Sequence, residues 1–152
     1  MRSKGYKKIL LILSMVYYSK ISIGLLSFIF IALFSPFIPI LFDEELSIEV
    51  LIVLFFMMVL FGFILHMFLN TKYSIEGDEL KVQCGFIKYK PFKIKSMKKI
   101  SKTNNIISSP AVSFDRIEIT YGKFDEIILS PKDKHKFADD LLKINPDIIN
   151  NL

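Results

Sequence analysis

The chain has 152 residues, enough for one ordinary domain or for a membrane anchor with a small domain behind it. Apolar residues make up 52% and charged residues 23%, so the two kinds must be segregated along the sequence. A single cysteine, Cys84, excludes an internal disulfide framework and any Cys-rich zinc or iron–sulfur site, while the net charge of +5 asks for a polyanionic neighbour.

The first twenty residues contain five basic ones, Arg2, Lys4, Lys7, Lys8 and Lys20. They read as a cytoplasmic N-terminus or interfacial segment, with Tyr17 and Tyr18 at the headgroups and Lys20 snorkelling towards them. The stretch from Ile9 to Val16 either extends the following helix inward or lies along the surface. Basic residues before an apolar run also suit a signal peptide, but no small-x-small cleavage site follows, so an uncleaved segment is the expectation.

Residues 21–70 form the apolar part. Ile21 to Phe42 carries no formal charge, and Val50 to Leu69 has only His66 as an ionisable member. At about 1.5 Å per residue each run can cross a hydrocarbon layer of about 30 Å, which predicts a transmembrane hairpin with spans over about 21–42 and 50–69. Pro36 and Pro39 kink or end the first helix. Lys and Arg lie on both flanks, whereas the connection carrying Asp43, Glu44, Glu45 and Glu49 has none. The expected topology is therefore multi-pass in the cell membrane, with both termini cytoplasmic. His66, one turn from the cytoplasmic end, reaches water or a polar neighbour there, and no acid accompanies it within either span. Gly24 with Ser27, and Gly62, offer small residues for helix contact without a GxxxG run.

From Thr71 the pattern alternates, the period of half-buried strands. Tyr73 and Ile75, then Leu80, Val82 and Cys84, share faces around a turn at Gly77 and Asp78. Phe86 to Ser96 reads as further strand after Gly85. Asn104 to Pro110 is loop-like, and Arg116 to Tyr121 and Asp125 to Ser130 are two more strands around Gly122. The expected total is five to seven. The last element is a helix with Ser130 as N-cap, Pro131 in its first position and Asp133 three residues after the cap. Its stripe is Phe137, Ala138, Leu141, Leu142 and Ile144, and Asn145-Pro146 ends it. Residues 71–152 are thus predicted as an α+β domain, an antiparallel sheet or partly open barrel with one C-terminal helix.

Several blocks carry a family resemblance: Ser108-Ser109-Pro110-Ala111, Ser113-Phe114-Asp115-Arg116-Ile117, Ile119 and Tyr121, Ile128-Leu129-Ser130-Pro131-Lys132-Asp133, Phe137, and Asn145-Pro146. Together they resemble the bacterial pleckstrin-homology (PH) domain family of YyaB-like membrane proteins. The resemblance implies a PH-like fold behind a membrane hairpin and supplies no catalytic residues. Ser109, Pro110, Asp115, Arg116, Ser130, Pro131 and Asp133 are its motif positions, with a structural role expected.

Lys88, Lys90, Lys93, Lys95, Lys98, Lys99 and Lys102 follow one another with no acid between them. They are candidates for contact with anionic lipid headgroups or a membrane-protein partner, against the plainer role of a solvated strand face that discourages edge pairing. Phe86, Tyr89 and Phe92 between them suit base stacking, but an anchor makes the bilayer the nearer polyanion, so no nucleic-acid partner is expected. Ser108, Ser109, Ser113, Asp115 and Arg116 could pass for a nucleophile with a carboxylate, but the one candidate base in this half, His135, has no motif around it, so no enzyme is expected, and no metal or cofactor either. Cys84 reads as a small core residue. A non-enzymatic binding or scaffolding module at the cytoplasmic membrane face is the functional expectation, with self-immunity against a bacteriocin or toxin as the alternative.

Overall fold

Alternation after Asn70 has the consequence it should: apolar side chains fill the space between two sheets and a helix. The structure, a computed structural model, describes residues 14–42, 47–105 and 111–152. The basic residues Arg2 to Lys8, the acids Asp43, Glu44 and Glu45, and Ser108, Ser109 and Pro110 lie outside the described residues.

Strands β2 (Thr71–Glu76) and β3 (Glu79–Cys84) form an antiparallel hairpin. Its turn takes Gly77 to a φ of 61°, a conformation that favours glycine. Tyr73 lies opposite Val82 and Ile75 opposite Leu80, all buried, while Lys72, Ser74, Lys81 and Gln83 face out. The stretch expected as one strand after Gly85 is two short ones, β4 (Ile87–Lys88) and β5 (Phe92–Lys93), both paired with β3. Pro91 between them lacks a backbone donor and interrupts the ladder. A 3-10 turn at Ile94–Ser96 then leads into the second sheet.

That sheet has the order β8-β7-β6-β9, with β6 at Met97–Thr103, β7 at Arg116–Tyr121, β8 at Asp125–Leu129 and β9 at Ile149–Asn151. Strand β9 runs parallel to β6, so the sheets are not wholly antiparallel, and the C-terminal helix is not the last element. This helix, α3 (Lys134–Ile144), buries Phe137, Ala138 and Leu141 against Tyr73, Ile75, Ile117, Ile119 and Leu129. It stops at Asn145, whose buried side-chain amide donates to the carbonyls of Ile94 (3.0 Å) and Met97 (3.1 Å).

The first sheet also contains a strand from the other side of the apolar segment. Residues Met15–Tyr18 form β1, antiparallel to β2, with Tyr17 opposite Tyr73 and Tyr18 opposite Lys72. This corrects the interfacial placing of Tyr17. Its side chain is 9% exposed, edge-on to Phe137 in the core, because a strand directs alternate side chains to one face. Met15 and Val16 likewise belong to the strand rather than to an extension of the following helix.

Between β1 and β2 the chain runs out and back through two apolar helices, α1 (Ile23–Phe34) and α2 (Ile48–Leu69). Ser22 and Ser47 cap them, each accepting a bond from a backbone amide three residues on. Helix α1 ends at Phe34, short of the expected span to residue 42, because Pro36 and Pro39 convert the chain to 3-10 turns at Ser35–Phe37 and Pro39–Phe42. Phe30 and Phe34 pack edge-on against Phe61 of α2. Among the described residues α2 alone is long and apolar enough to cross a membrane.

Candidate functional site

The two helices leave the domain at one end of its sheets, called here the near end. Ser19, Thr71, Cys84, Gly85 and Ser130 mark it. The Ser19 amide donates to the Thr71 carbonyl (3.0 Å), the Lys20 amide to the Ser130 carbonyl (2.7 Å) and the Lys132 amide to the Tyr18 carbonyl (2.9 Å), so the chain before α1, the chain after α2 and the end of β8 are joined. Beneath these bonds the Tyr73 hydroxyl donates to Ser19 Oγ (3.2 Å) and accepts from the Ser130 amide (3.1 Å), while the two serine hydroxyls lie 2.7 Å apart. Burial pushes the Tyr73 phenol up, keeping it neutral.

Ser130 is therefore a buried member of this network and not the helix cap, which corrects the expectation. Asp133 is the cap, its carboxylate accepting from the Lys136 amide at 3.1 Å. Pro131 bridges to Ser19, so the chain is still extended there and the helix begins three residues later.

Asp115 accepts from Lys134 and from Lys20 (2.8 Å), which in that order hold its carboxyl below the usual carboxylate range. It thereby fastens the start of the apolar segment to α3. Arg116 is buried and, among the described residues, forms no ion pair: Nη1 donates to the Asn105 carbonyl at 3.0 Å and Nε to that of Ser113. On the other side of α3, Tyr17 donates to Asp140, which also accepts from Lys143 at 2.7 Å. Lys143 first, then Tyr17, lower the Asp140 carboxyl, and burial with the bond to Asp140 raises the Tyr17 phenol.

The motif residues Asp115, Arg116, Ser130, Pro131 and Asp133 all take part in these contacts. Ser109 and Pro110 lie outside the described residues. His135 is exposed at the start of α3, and Asp115 is occupied by two ammonium groups, so they do not assemble as a base and its orienting acid. No group of three His, Cys, Asp or Glu suited to a metal exists among the described residues. Cys84 is buried, with Thr71 Oγ1 3.3 Å from its sulfur.

The seven lysines are all exposed, and among the described residues none of them forms an ion pair. They do not form one patch. Lys88 lies opposite Gln83, one residue from the near end of β3, and Lys90 lies in the connection between β4 and β5. Lys93 lies opposite Glu79, and the Ile94 amide bonds to the Asp78 carbonyl, at the far end of a six-residue strand and about 17 Å from Cys84. Lys95, Lys98 and Lys99 are at that far end too, beside the Gly122 turn, where the Gly122 amide bonds to the Ser96 carbonyl. Lys102 returns to the near end on the second sheet, opposite Ile117. A feature absent from the sequence reading is the outward row Tyr18, Lys72, Gln83, Lys88, aligned across four strands just inside the near end. Its signal is distributed over 70 positions and visible only once β1 is paired.

Two sheets with a C-terminal helix packed across them define a PH-like domain, a class of lipid- and protein-binding modules that is generally not catalytic. Residues 71–145 match the family profile described as bacterial PH domain. The match does not single out the YyaB-like subgroup, and it leaves β1 and β9 outside its limits. No curated protein and no solved structure gives a significant match.

Proposed function

We propose that the protein is a membrane-anchored, non-enzymatic binding module, in which residues 21–70 cross the bilayer twice and the PH domain stays at the cytoplasmic face. The observation that carries this reading is the insertion of both apolar helices between the first two strands of the domain, with two chain crossings at one end of the sheets. Helix α2 supplies about 33 Å of apolar length. Helix α1 supplies about 18 Å, and the two 3-10 turns that follow add up to about 14 Å, which together match the second crossing.

In this arrangement Lys93, Lys95, Lys98 and Lys99 face away from the anchoring bilayer and present positive charge to an acidic protein surface. Phe124, 87% exposed at the Gly122 turn, gives that end an apolar contact as well. Mild crosslinking in native membranes tests the assignment. A partner captured by the wild type should be lost when these four lysines are reversed to Glu and kept when Lys88 alone is reversed. Equal capture by both variants would remove the far lysines from the function.

A further inference from the structure

The near rim of the first sheet has the chemistry of a membrane interface, quite apart from the helices. After β3 the chain turns at Gly85, with φ of 56°, and passes tightly over the last turns of α2. A Cβ at this position would collide with the Met67 side chain and lie 3.2 Å from its Cα, so only glycine permits both the turn and the approach. The next residue, Phe86, stacks on His66 (centroids 4.1 Å apart, planes at 14°) and lies 6.2 Å from Phe63. His66 Nδ1 in turn is 3.2 Å from Nδ2 of the Asn70 side chain.

These contacts fix a depth. Helix α2 is only about as long as the hydrocarbon layer is thick, so its final turns cannot stand clear of the membrane. Phe63 and His66 lie about 9 and 5 Å before its last residue, within the range to which interfacial apolar groups penetrate. A ring stacked beside them is at the same level. Phe86 is nevertheless 68% exposed and the following Ile87 52%, two large apolar groups side by side that are left open among the described residues. Just behind them runs the row Tyr18, Lys72, Gln83 and Lys88, with Tyr18 62% exposed. Aromatic and lysine side chains in that order, apolar tip first and amphipathic row second, are the groups that partition to the headgroup layer.

We infer that the Gly85–Lys88 turn and the Tyr18–Lys88 row are a second membrane contact, with Phe86 and Ile87 inserted at the headgroup–acyl boundary of an anionic leaflet and the row lying along its surface. This rests on the reading that α2 spans the bilayer. It makes the domain a fixed extension of its anchor, since one aromatic stack, one turn and one row of side chains hold its orientation.

The chain contains no tryptophan, so single substitutions report cleanly. Phe86→Trp and Tyr18→Trp replace exposed rings, Leu60→Trp marks the middle of α2, and Phe124→Trp marks the far end. The full-length variants are reconstituted into phosphatidylcholine–phosphatidylglycerol vesicles carrying lipids brominated at shallow or deep acyl positions, with aqueous acrylamide as the opposing quencher. Both rim reporters should be quenched by shallow bromines and shielded from acrylamide, Leu60→Trp by deep bromines, and Phe124→Trp by acrylamide alone. Rim reporters that behave like Phe124→Trp, while Leu60→Trp is quenched deeply, would overturn the inference and leave the anchor standing. Loss of lipid quenching at Leu60→Trp would overturn the spanning reading itself.

Discussion

One phenol oxygen, that of Tyr73, joins the ends of three strands where the apolar helices depart, and one carboxylate, that of Asp140, joins β1 to α3. The second has a consequence for pH. An unfolded aspartate titrates near about 3.9, and Lys143 and Tyr17 hold the folded-state value of Asp140 lower. The folded protein therefore binds fewer protons than the unfolded chain through that range. The stabilisation is complete above the unfolded value and is lost as pH falls through the folded one. Asp140→Asn should lower stability most near neutral pH and flatten the acid side of the stability curve. A residual slope should remain from Asp115, which is shifted the same way. Urea midpoints of the detergent-solubilised chain across the acid range would show this, and a variant curve parallel to that of the wild type would exclude Asp140 from the acid response.

Strand β1 is the element whose role follows least from its own residues. Met15-Val16-Tyr17-Tyr18 adjoins an apolar run, and nothing within four residues tells a strand from the start of a helix; what decides is the free edge of β2, more than fifty residues on. The hairpin β2–β3, the pair β7–β8 and the stripe of α3 were legible because their period and turn residues are local. Asn145 was legible as a helix stop, but its two long-range bonds were not, and the capping pattern at Ser130 was misleading because tertiary bonds to Ser19 and Tyr73 keep that serine in the extended chain. The lysine run was legible as charge and not as a surface, since Pro91 and the 3-10 turn at Ile94–Ser96 carry it from one end of the domain to the other. Because Ser19 and Thr71 are hydrogen-bonded neighbours, a short Gly-Ser linker can replace the helices, joining residues 14–20 to residues 70–152. This chimera should exceed a 71–152 fragment in stability by at least about 2 kcal/mol, the scale for burying one large side chain such as Tyr17. Equal urea midpoints for the two would make β1 dispensable.

At the scale of the whole molecule, the separation of charge between the two ends matters more than its sum. A domain bound to its membrane by one rim cannot use lysines about 17 Å away, because that distance is about twice the Debye length at physiological salt. In the proposed arrangement Lys72 and Lys88, in the rim row, come within reach of an anionic surface, where each is worth about 1 kcal/mol. The linker chimera, freed of its helices, turns this into a binding measurement. Replacing Lys72 and Lys88 by Gln should weaken its partitioning to phosphatidylglycerol vesicles by up to about 30-fold, the equivalent of about 2 kcal/mol. Replacing Lys93, Lys95, Lys98 and Lys99 by Gln removes twice the charge and should weaken it far less. The opposite order in a sedimentation assay would mean that the free domain meets lipid with its far end, and the surface assigned here to a protein partner would become its lipid contact.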